Sequence, residues 1–213
     1  MTPQIDIKNL AEFNEVMEDS SSSVAENLSA MTSVSMDVEV KKLRFLEESA
    51  MAEEIGDVED VVCVYCRLDD EPHGVFAVTF SPENAATVSQ FMMESLPDEY
   101  GEQHETVVQE IGNIMTSGFV DGLADMLGKT IEITTPTVFD GERDAVAEHL
   151  KKQTDADAPD SFVVLNTLIH AVDHDVSCRA FLLPNVDEFA ELVNSIPDIE
   201  RDIDEQKDSP FDG

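Results

Sequence analysis

The chain of 213 residues repeats itself, and this repeat constrains its fold more than any other feature. When Glu15 is aligned with Glu110, an offset of 110 − 15 = 95 positions, the following apolar residues coincide: Val16 with Ile111, Leu28 with Leu123, Met31 with Met126, Met36 with Ile131 and Val38 with Ile133. Each half has the same order of patterns: helix, strand, helix or loop, hairpin, helix. Because exposed strand edges are best buried in a shared sheet, we predict an α+β fold in which two pseudo-symmetric repeats share one continuous mixed β-sheet, with long helices packed on it.

The repeat also sets the predicted domain boundaries. Residues 1–197 are expected to form a single domain, with repeat one over about 9–96 and repeat two over about 104–197. Each repeat contains a predicted hairpin, at 61–68 with 75–80 and at 162–169 with 176–183. The charged segment 198–213 is expected to be a disordered tail. The serine run at 20–23 is expected to kink or restart the first helix, since serine is a weak helix former and a good N-cap.

The stretch 106–136 carries the clearest candidate for a functional site. At about 100° per residue, its apolar side chains from Val107 to Met126 fall in one arc, which predicts an amphipathic helix. The opposite side of this helix holds Thr106, Glu110, Asn113 and Ser117. The helix is predicted to end at Gly128, because glycine favours the left-handed conformation that follows a helix. Residues 129–135 then alternate as a predicted strand that Pro136 ends.

Glu110 and Asn113 are neighbours on the outer face of this helix, since they are three positions apart. An asparagine amide both donates and accepts hydrogen bonds, so it can hold a water molecule in line with a phosphorus atom. Positioning of this kind supplies much of catalysis in phosphoryl transfer. A carboxylate one turn away could pair with a lysine of a partner. On spacing alone, a solvated polar face is the alternative interpretation.

The residues Glu110-Ile111-Gly112-Asn113, followed by Pro136 after 22 intervening positions, resemble the phosphatase motif of the CheC/CheX/FliY family. That motif is an acidic residue or serine, then glutamate four positions later, asparagine three later, and proline after a gap of 22. Thr106 takes the first place and keeps a hydroxyl group. The chain resembles a CheC-like protein of the halophilic archaeal type.

The resemblance implies a chemotaxis phosphatase that hydrolyses the aspartyl phosphate of a CheY-like response regulator. Asn113 would orient the attacking water, and Glu110 would pair with a basic residue of the phosphorylated receiver domain. Thr106 and Pro136 would support this pair. No cofactor of its own is expected, because the response regulator would supply the Mg²⁺.

The first half has lost most of this motif. The counterpart of residues 110–113 ends in Glu18 instead of asparagine, Ala11 replaces Thr106 and Lys41 replaces Pro136. Ionised Glu18 cannot donate a hydrogen bond, and its charge would oppose an incoming acyl phosphate. We therefore predict that the Glu15/Glu18 face is inactive.

A non-catalytic adaptor is the alternative that the same resemblance allows. Relatives use this fold as a structural part of the motility switch, and the family also binds CheD, a receptor-modifying deamidase. A chain with one degenerate face could bind phosphorylated regulator or CheD without turnover. A third interpretation is a salt-adapted domain whose motif is fortuitous.

The charge balance excludes several classes of partner. Acidic residues number 47 and basic residues 12, which gives a net charge of −35, yet 42% of residues are hydrophobic. Such a surface repels nucleic-acid phosphates and anionic lipid, so neither nucleic acid nor membrane is expected as a partner. Acidity of this degree with a full complement of core residues is typical of proteins adapted to high salt, where self-repulsion is screened. With no signal peptide or apolar run of about 18 residues, a cytoplasmic location is expected.

Two other groups of residues have side chains that could bind a metal. Cys63 and Cys66 form a CxxC pattern, but it lies in a predicted strand, where positions three apart point to opposite faces. With three cysteines in all, a disulfide framework is not expected either. The predicted turn at 170–175 contains His170, Asp173, His174 and Asp175, for which a solvated loop is favoured over a metal site. No metal site is predicted.

Overall fold

The computed structural model describes residues 5–40, 43–47, 50–154 and 161–196. These residues contain six α-helices and seven β-strands. The helices are α1 (Ile7–Thr32), α2 (Met51–Ile55), α3 (Pro82–Met92), α4 (Glu102–Leu127), α5 (Arg143–Gln153) and α6 (Val186–Asn194). The strands are β1 (Met36–Val40), β2 (Arg44–Glu47), β3 (Asp60–Leu68), β4 (Gly74–Phe80), β5 (Thr137–Glu142), β6 (Ser161–Ala171) and β7 (Ser177–Pro184). The predicted tail at 198–213 lies outside the described residues.

The strands form a single sheet in the order β1-β6-β7-β4-β3-β5, with β2 also paired to β6. The predicted α+β fold with one continuous sheet is therefore confirmed. The prediction that the sheet is mixed is wrong, because every described pairing of these strands is antiparallel. The two hairpins meet where β4 pairs with β7, and a twofold axis perpendicular to a sheet makes the two strands beside it antiparallel.

The internal repeat is visible in the helices and in the strand register. Helices α1 and α4 are each 26 residues long, and 95 positions separate both their first residues (102 − 7) and their last (127 − 32). In the first half Val38 pairs with Ile169, and its counterpart Ile133 pairs with Leu68. The outer strands are exchanged between halves: β1 and β2 pair with β6 of the second half, whereas β5 pairs with β3 of the first.

Helix α1 continues without interruption through the serine run at 20–23, where a kink or restart was predicted. Each of the four serine hydroxyls donates to the carbonyl oxygen four residues earlier, so these side chains remain compatible with the helix. Ser20 and Val24 of this helix lie close against glycines of α4. A Cβ atom added to Gly122 would lie 2.8 Å from the Cβ of Ser20, and one added to Gly118 would lie 2.5 Å from Val24 Cγ2.

Helices cover both faces of the sheet. Buried residues of α1, α3, α4 and α6 form one core with Val62, Val64 and neighbouring side chains of the sheet. Helices α2 and α5 form a second, smaller core on the other face with Val61 and Cys63. The acidic stretch at 47–60 thus contains a helix, α2, whose Met51 and Ile55 are buried. Although α1 and α4 are long, no helix in the described residues combines the length and apolar character needed to cross a membrane.

Residues 129–135 do not form the predicted strand. They are irregular apart from the single bridge between Ile133 and Leu68, and strand β5 begins after Pro136 at Thr137. Proline has no N–H to donate to a strand ladder, so it precedes this strand instead of ending one. The alternation of Ile131 and Ile133 reflects burial, since Ile131 is buried and Ile133 half-buried.

The two long helices lead to a prediction about salt. Each carries five acidic residues, and Lys8 is the one lysine or arginine in the pair. Charge repulsion acts over about 10 Å at 0.1 M salt but only about 3 Å at 1 M. We expect the helical circular dichroism signal to be lost at low ionic strength and regained in molar KCl. An unfolding midpoint that is the same at low and molar KCl would contradict this expectation, and an uncharged osmolyte serves as the control.

Candidate functional site

The four residues of the predicted motif border one surface groove. This groove has a volume of about 460 Å³ and is lined by Thr106, Gln109, Glu110, Asn113, Ile133, Thr134, Thr135 and Pro136. One wall is helix α4, and the other is the stretch 131–136, which we call the Pro136 segment. The fold thus brings Pro136 back beside Asn113 after 22 intervening residues.

Helix α4 is fixed at both ends. At its start the buried His104 accepts a hydrogen bond on Nδ1 from the Gly101 N–H at 3.1 Å, and its Nε2 lies 3.0 Å from the Pro97 carbonyl oxygen. At its end Gly128 has a φ of 61°, as the sequence predicted. This role of His104 was not predicted from the sequence.

The middle of α4 lies close against the sheet. A Cβ atom on Gly112 would lie 2.5 Å from Val64 Cγ1, so a larger residue here would push the helix away from β3. The Thr116 hydroxyl, also buried, donates to the Gly112 carbonyl oxygen at 2.8 Å. With this side of the helix buried, Thr106 and Glu110 are exposed and Asn113 is half-buried at the groove.

The Pro136 segment is attached to the end of strand β3. The Thr134 N–H donates to the Arg67 carbonyl oxygen at 3.0 Å, and the Arg67 N–H donates to Thr134 Oγ1 at 2.9 Å. The Asp69 N–H donates to the Glu132 carbonyl oxygen at 2.9 Å. On the other side, Gln109 Nε2 of helix α4 donates to the Pro136 carbonyl oxygen. Both walls of the groove are therefore held by hydrogen bonds.

The chemistry of the groove is that of one carboxylate among neutral polar groups. Glu110 is the one ionisable residue in its lining, and the amides of Gln109 and Asn113 and the threonine hydroxyls can donate and accept hydrogen bonds. Among the described residues, no group of three or more His, Cys, Asp or Glu side chains is arranged to hold a metal ion. The groove can thus attract one cation and orient small polar molecules.

The first-half face differs in composition. Ala11, Glu15 and Glu18 are exposed on α1 at the positions equivalent to Thr106, Glu110 and Asn113. Lys41, the counterpart of Pro136, lies outside the described residues. Two carboxylates therefore stand where the second half has a carboxylate and a carboxamide.

The CxxC residues point to opposite faces of the sheet, as predicted. Cys63 is buried in the core beneath α2 and α5, whereas Cys66 Sγ lies 3.7 Å from Thr116 Oγ1 of α4. Burial raises the pKa of Cys63 and of Cys66, and it raises the pKa of Cys178 to about 12. All three thiols are free and buried, which is typical of structural cysteines.

The turn at 170–175 has separate contacts for its two histidines. His170 Nε2 lies 3.7 Å from Asp37 Oδ2, whereas the exposed ring of His174 lies against Phe91 with 4.8 Å between ring centroids. The two histidines therefore contact different elements of the fold.

Gln109 is a residue of helix α4 that lines the groove but was not predicted from the sequence as a site residue. It lies three residues after Thr106 and four before Asn113, so helical spacing places it on the same side as both. That spacing was the available signal. What the sequence could not reveal is the carbonyl group that lies opposite its side chain.

Comparison with known proteins connects this groove to a family. A model of the CheC-like family matches residues 104–139, which include both groove walls. A protein of the halophilic archaeon Halobacterium salinarum, provisionally designated CheY-P phosphatase CheC1, is 32% identical over 199 residues, covering 92% of this chain and 100% of the relative.

Solved structures share the fold at lower identity. FliY from Thermotoga maritima superposes with a TM-score of 0.71 at 18% identity, covering 88% of this chain and 95% of the FliY chain. The FliM middle domain from H. pylori has a TM-score of 0.61 at 7% identity, covering 89% and 98% of the two chains. These structures show the shared fold, whereas the relative from Halobacterium salinarum, 32% identical and matched over its whole length, shows that the chain belongs to the CheC-like family.

Proposed function

We propose that this protein accelerates hydrolysis of the aspartyl phosphate on a CheY-like receiver domain. The observation that carries the proposal is the convergence of Thr106, Glu110, Asn113 and Pro136 on one groove. The name of the Halobacterium salinarum relative supports the same reaction class.

In this proposal Asn113 positions the nucleophile. Its half-buried amide lies at the groove and can accept a hydrogen bond from a water molecule while donating another to the phosphoryl group. The water oxygen bonds to phosphorus, the bond between phosphorus and the aspartyl oxygen breaks, and the products are inorganic phosphate and the receiver's aspartate. The proton lost by the water passes to phosphate. Little covalent chemistry falls to the protein, so alignment is its main contribution.

Glu110 would fix the docked geometry. It is exposed, and the other residues that line the groove are uncharged, so a lysine or arginine of the receiver would find one counter-charge there. The Mg²⁺ used in this chemistry would come with the receiver, whose phosphorylated aspartate it accompanies. Glu15 and Glu18 offer no amide donor, so turnover is assigned to the second half alone.

The direct test is the decay of a phosphorylated CheY-like receiver in molar KCl with Mg²⁺. Decay is expected to be faster with the wild-type protein and to return to the intrinsic rate with the Glu110→Ala/Asn113→Ala variant. The Glu15→Ala/Glu18→Ala variant is the matched control and is expected to behave as wild type. Wild-type protein that binds the phosphorylated receiver without shortening its lifetime would overturn the proposal.

A non-catalytic adaptor is the second candidate. The fold is shared with FliM middle domains, and one such structure is a FliG–FliM complex, so a domain of this fold binds a protein partner there. Binding to phosphorylated CheY or to CheD would define this candidate here. Turnover in the decay experiment separates the two functions.

A further inference from the structure

Gln109 makes a contact that joins the two walls of the groove. Its side chain is half-buried on α4, and its Nε2 donates to the carbonyl oxygen of Pro136. A proline residue has no N–H, so its carbonyl oxygen is its one backbone hydrogen-bonding group. The helix that carries Glu110 and Asn113 therefore satisfies the backbone of the motif proline.

The other hydrogen bonds of the Pro136 segment lead to a different element. Those of Thr134 and the Glu132 carbonyl join it to β3 at Arg67 and Asp69, and the Glu132 N–H donates to Asp70 Oδ2 at 2.8 Å. Among the described residues, the bond from Gln109 is the one that joins this segment to α4. Without it, the segment would remain attached to the sheet, but its spacing from the helix would be set by packing alone.

The first half provides an internal comparison. The residue equivalent to Gln109 is Asn14, whose side chain is one methylene shorter. Its Oδ1 is buried and has no hydrogen-bond partner among the described residues. The half that lost the Asn113 equivalent thus also has a shorter amide at this position.

We infer that Gln109 is a positioning residue for the phosphatase reaction, because its hydrogen bond holds the Pro136 segment against α4. This inference rests on the proposed function for its catalytic consequence. The amide does not contact the reacting atoms in this scheme, because it is engaged by Pro136. It sets the width of the groove, so that Asn113 and the docked receiver meet at the distance that in-line attack requires.

The test combines kinetics with amide hydrogen exchange on the full chain in molar KCl. Gln109→Leu keeps the side-chain bulk and removes the donor, and Gln109→Glu keeps the shape and replaces the donor with an acceptor. Both are expected to lower kcat for receiver dephosphorylation by about tenfold with KM within about twofold, since misplacement, not loss of contact, is the cause. Exchange over 131–136 is expected to accelerate by about tenfold, with exchange in α4 unchanged.

The matched control is Asn14→Leu at the equivalent position, which is expected to leave kcat and exchange over 131–136 as in wild type. If exchange over 131–136 is as in wild type in both Gln109 variants, the Gln109 hydrogen bond does not hold the Pro136 segment. If kcat is as in wild type in both variants, Gln109 is not a positioning residue. If the wild-type protein does not accelerate receiver dephosphorylation, the proposed function fails, and the positioning role fails with it. The exchange measurement still decides whether Gln109 holds the segment.

Discussion

Replacing Asn113 with alanine is expected to reduce the acceleration of receiver dephosphorylation by about 100-fold, the effect of losing the alignment of a nucleophile. Binding of the phosphorylated receiver should change by no more than about twofold, because the methyl group of alanine leaves the surface around Glu110 intact. The measurement is the receiver decay rate as a function of protein concentration, which separates kcat from KM.

Glu110→Ala provides the contrast to this result. An exposed ion pair contributes on the order of 1 kcal/mol, so its loss should raise KM by about fivefold with a smaller effect on kcat. Glu18→Ala, at the position equivalent to Asn113, should change neither quantity. A fall in kcat with Glu18→Ala as large as with Asn113→Ala would contradict the assignment of turnover to the second half.

Replacing Gly122 with alanine should destabilise the fold. A methyl group there would meet Ser20 of α1, with the two Cβ atoms 2.8 Å apart, so α1 and α4 would have to separate. Overpacking of this kind costs about 2 kcal/mol, against a gain of about 1 kcal/mol in helix propensity. We expect the free energy of unfolding to fall by the difference, about 1 kcal/mol, measured by urea denaturation in molar KCl.

Gly141→Ala is the matched control. No atom lies within 4 Å of a Cβ atom added at Gly141, and its φ is not in the left-handed region. Its effect should stay within about 0.5 kcal/mol, as for surface substitutions elsewhere. If Gly122→Ala is as stable as wild type, the close contact between α1 and α4 is not what selects glycine at this position.

Helix α4 and both hairpins were predictable because their patterns are local. The arc of apolar residues fixes which side of α4 is buried, and Gly128 fixes its end. The offset that aligns Glu15 with Glu110 predicted two equivalent long helices, and α1 and α4 agree with it residue for residue. The same arc placed Glu110 and Asn113 outward, as they are in the structure.

What the sequence could not provide depends on partners distant in the chain. The serines at 20–23 favour a break when judged by propensity, yet the helix is unbroken. The close approach of Gly122 explains why a small residue is needed at Ser20. The position of Pro136 before a strand depends on Thr134 pairing with Arg67, which no local pattern reveals. The all-antiparallel sheet depends on pairings between the halves, in which β4 pairs with β7, β1 and β2 pair with β6, and β5 pairs with β3.

The exchange of outer strands bears on how such a chain could arise. A polypeptide comprising only the first half would leave β3 without its neighbour β5, and β1 and β2 without β6. A half-length ancestor could complete the sheet by pairing with a second copy of itself, which makes a symmetric homodimer its natural forerunner. Fusion of two such subunits would release one from the selection that both had shared. Once the two halves are covalently joined, they can differ in sequence, as Glu18 and Asn113 do at equivalent positions.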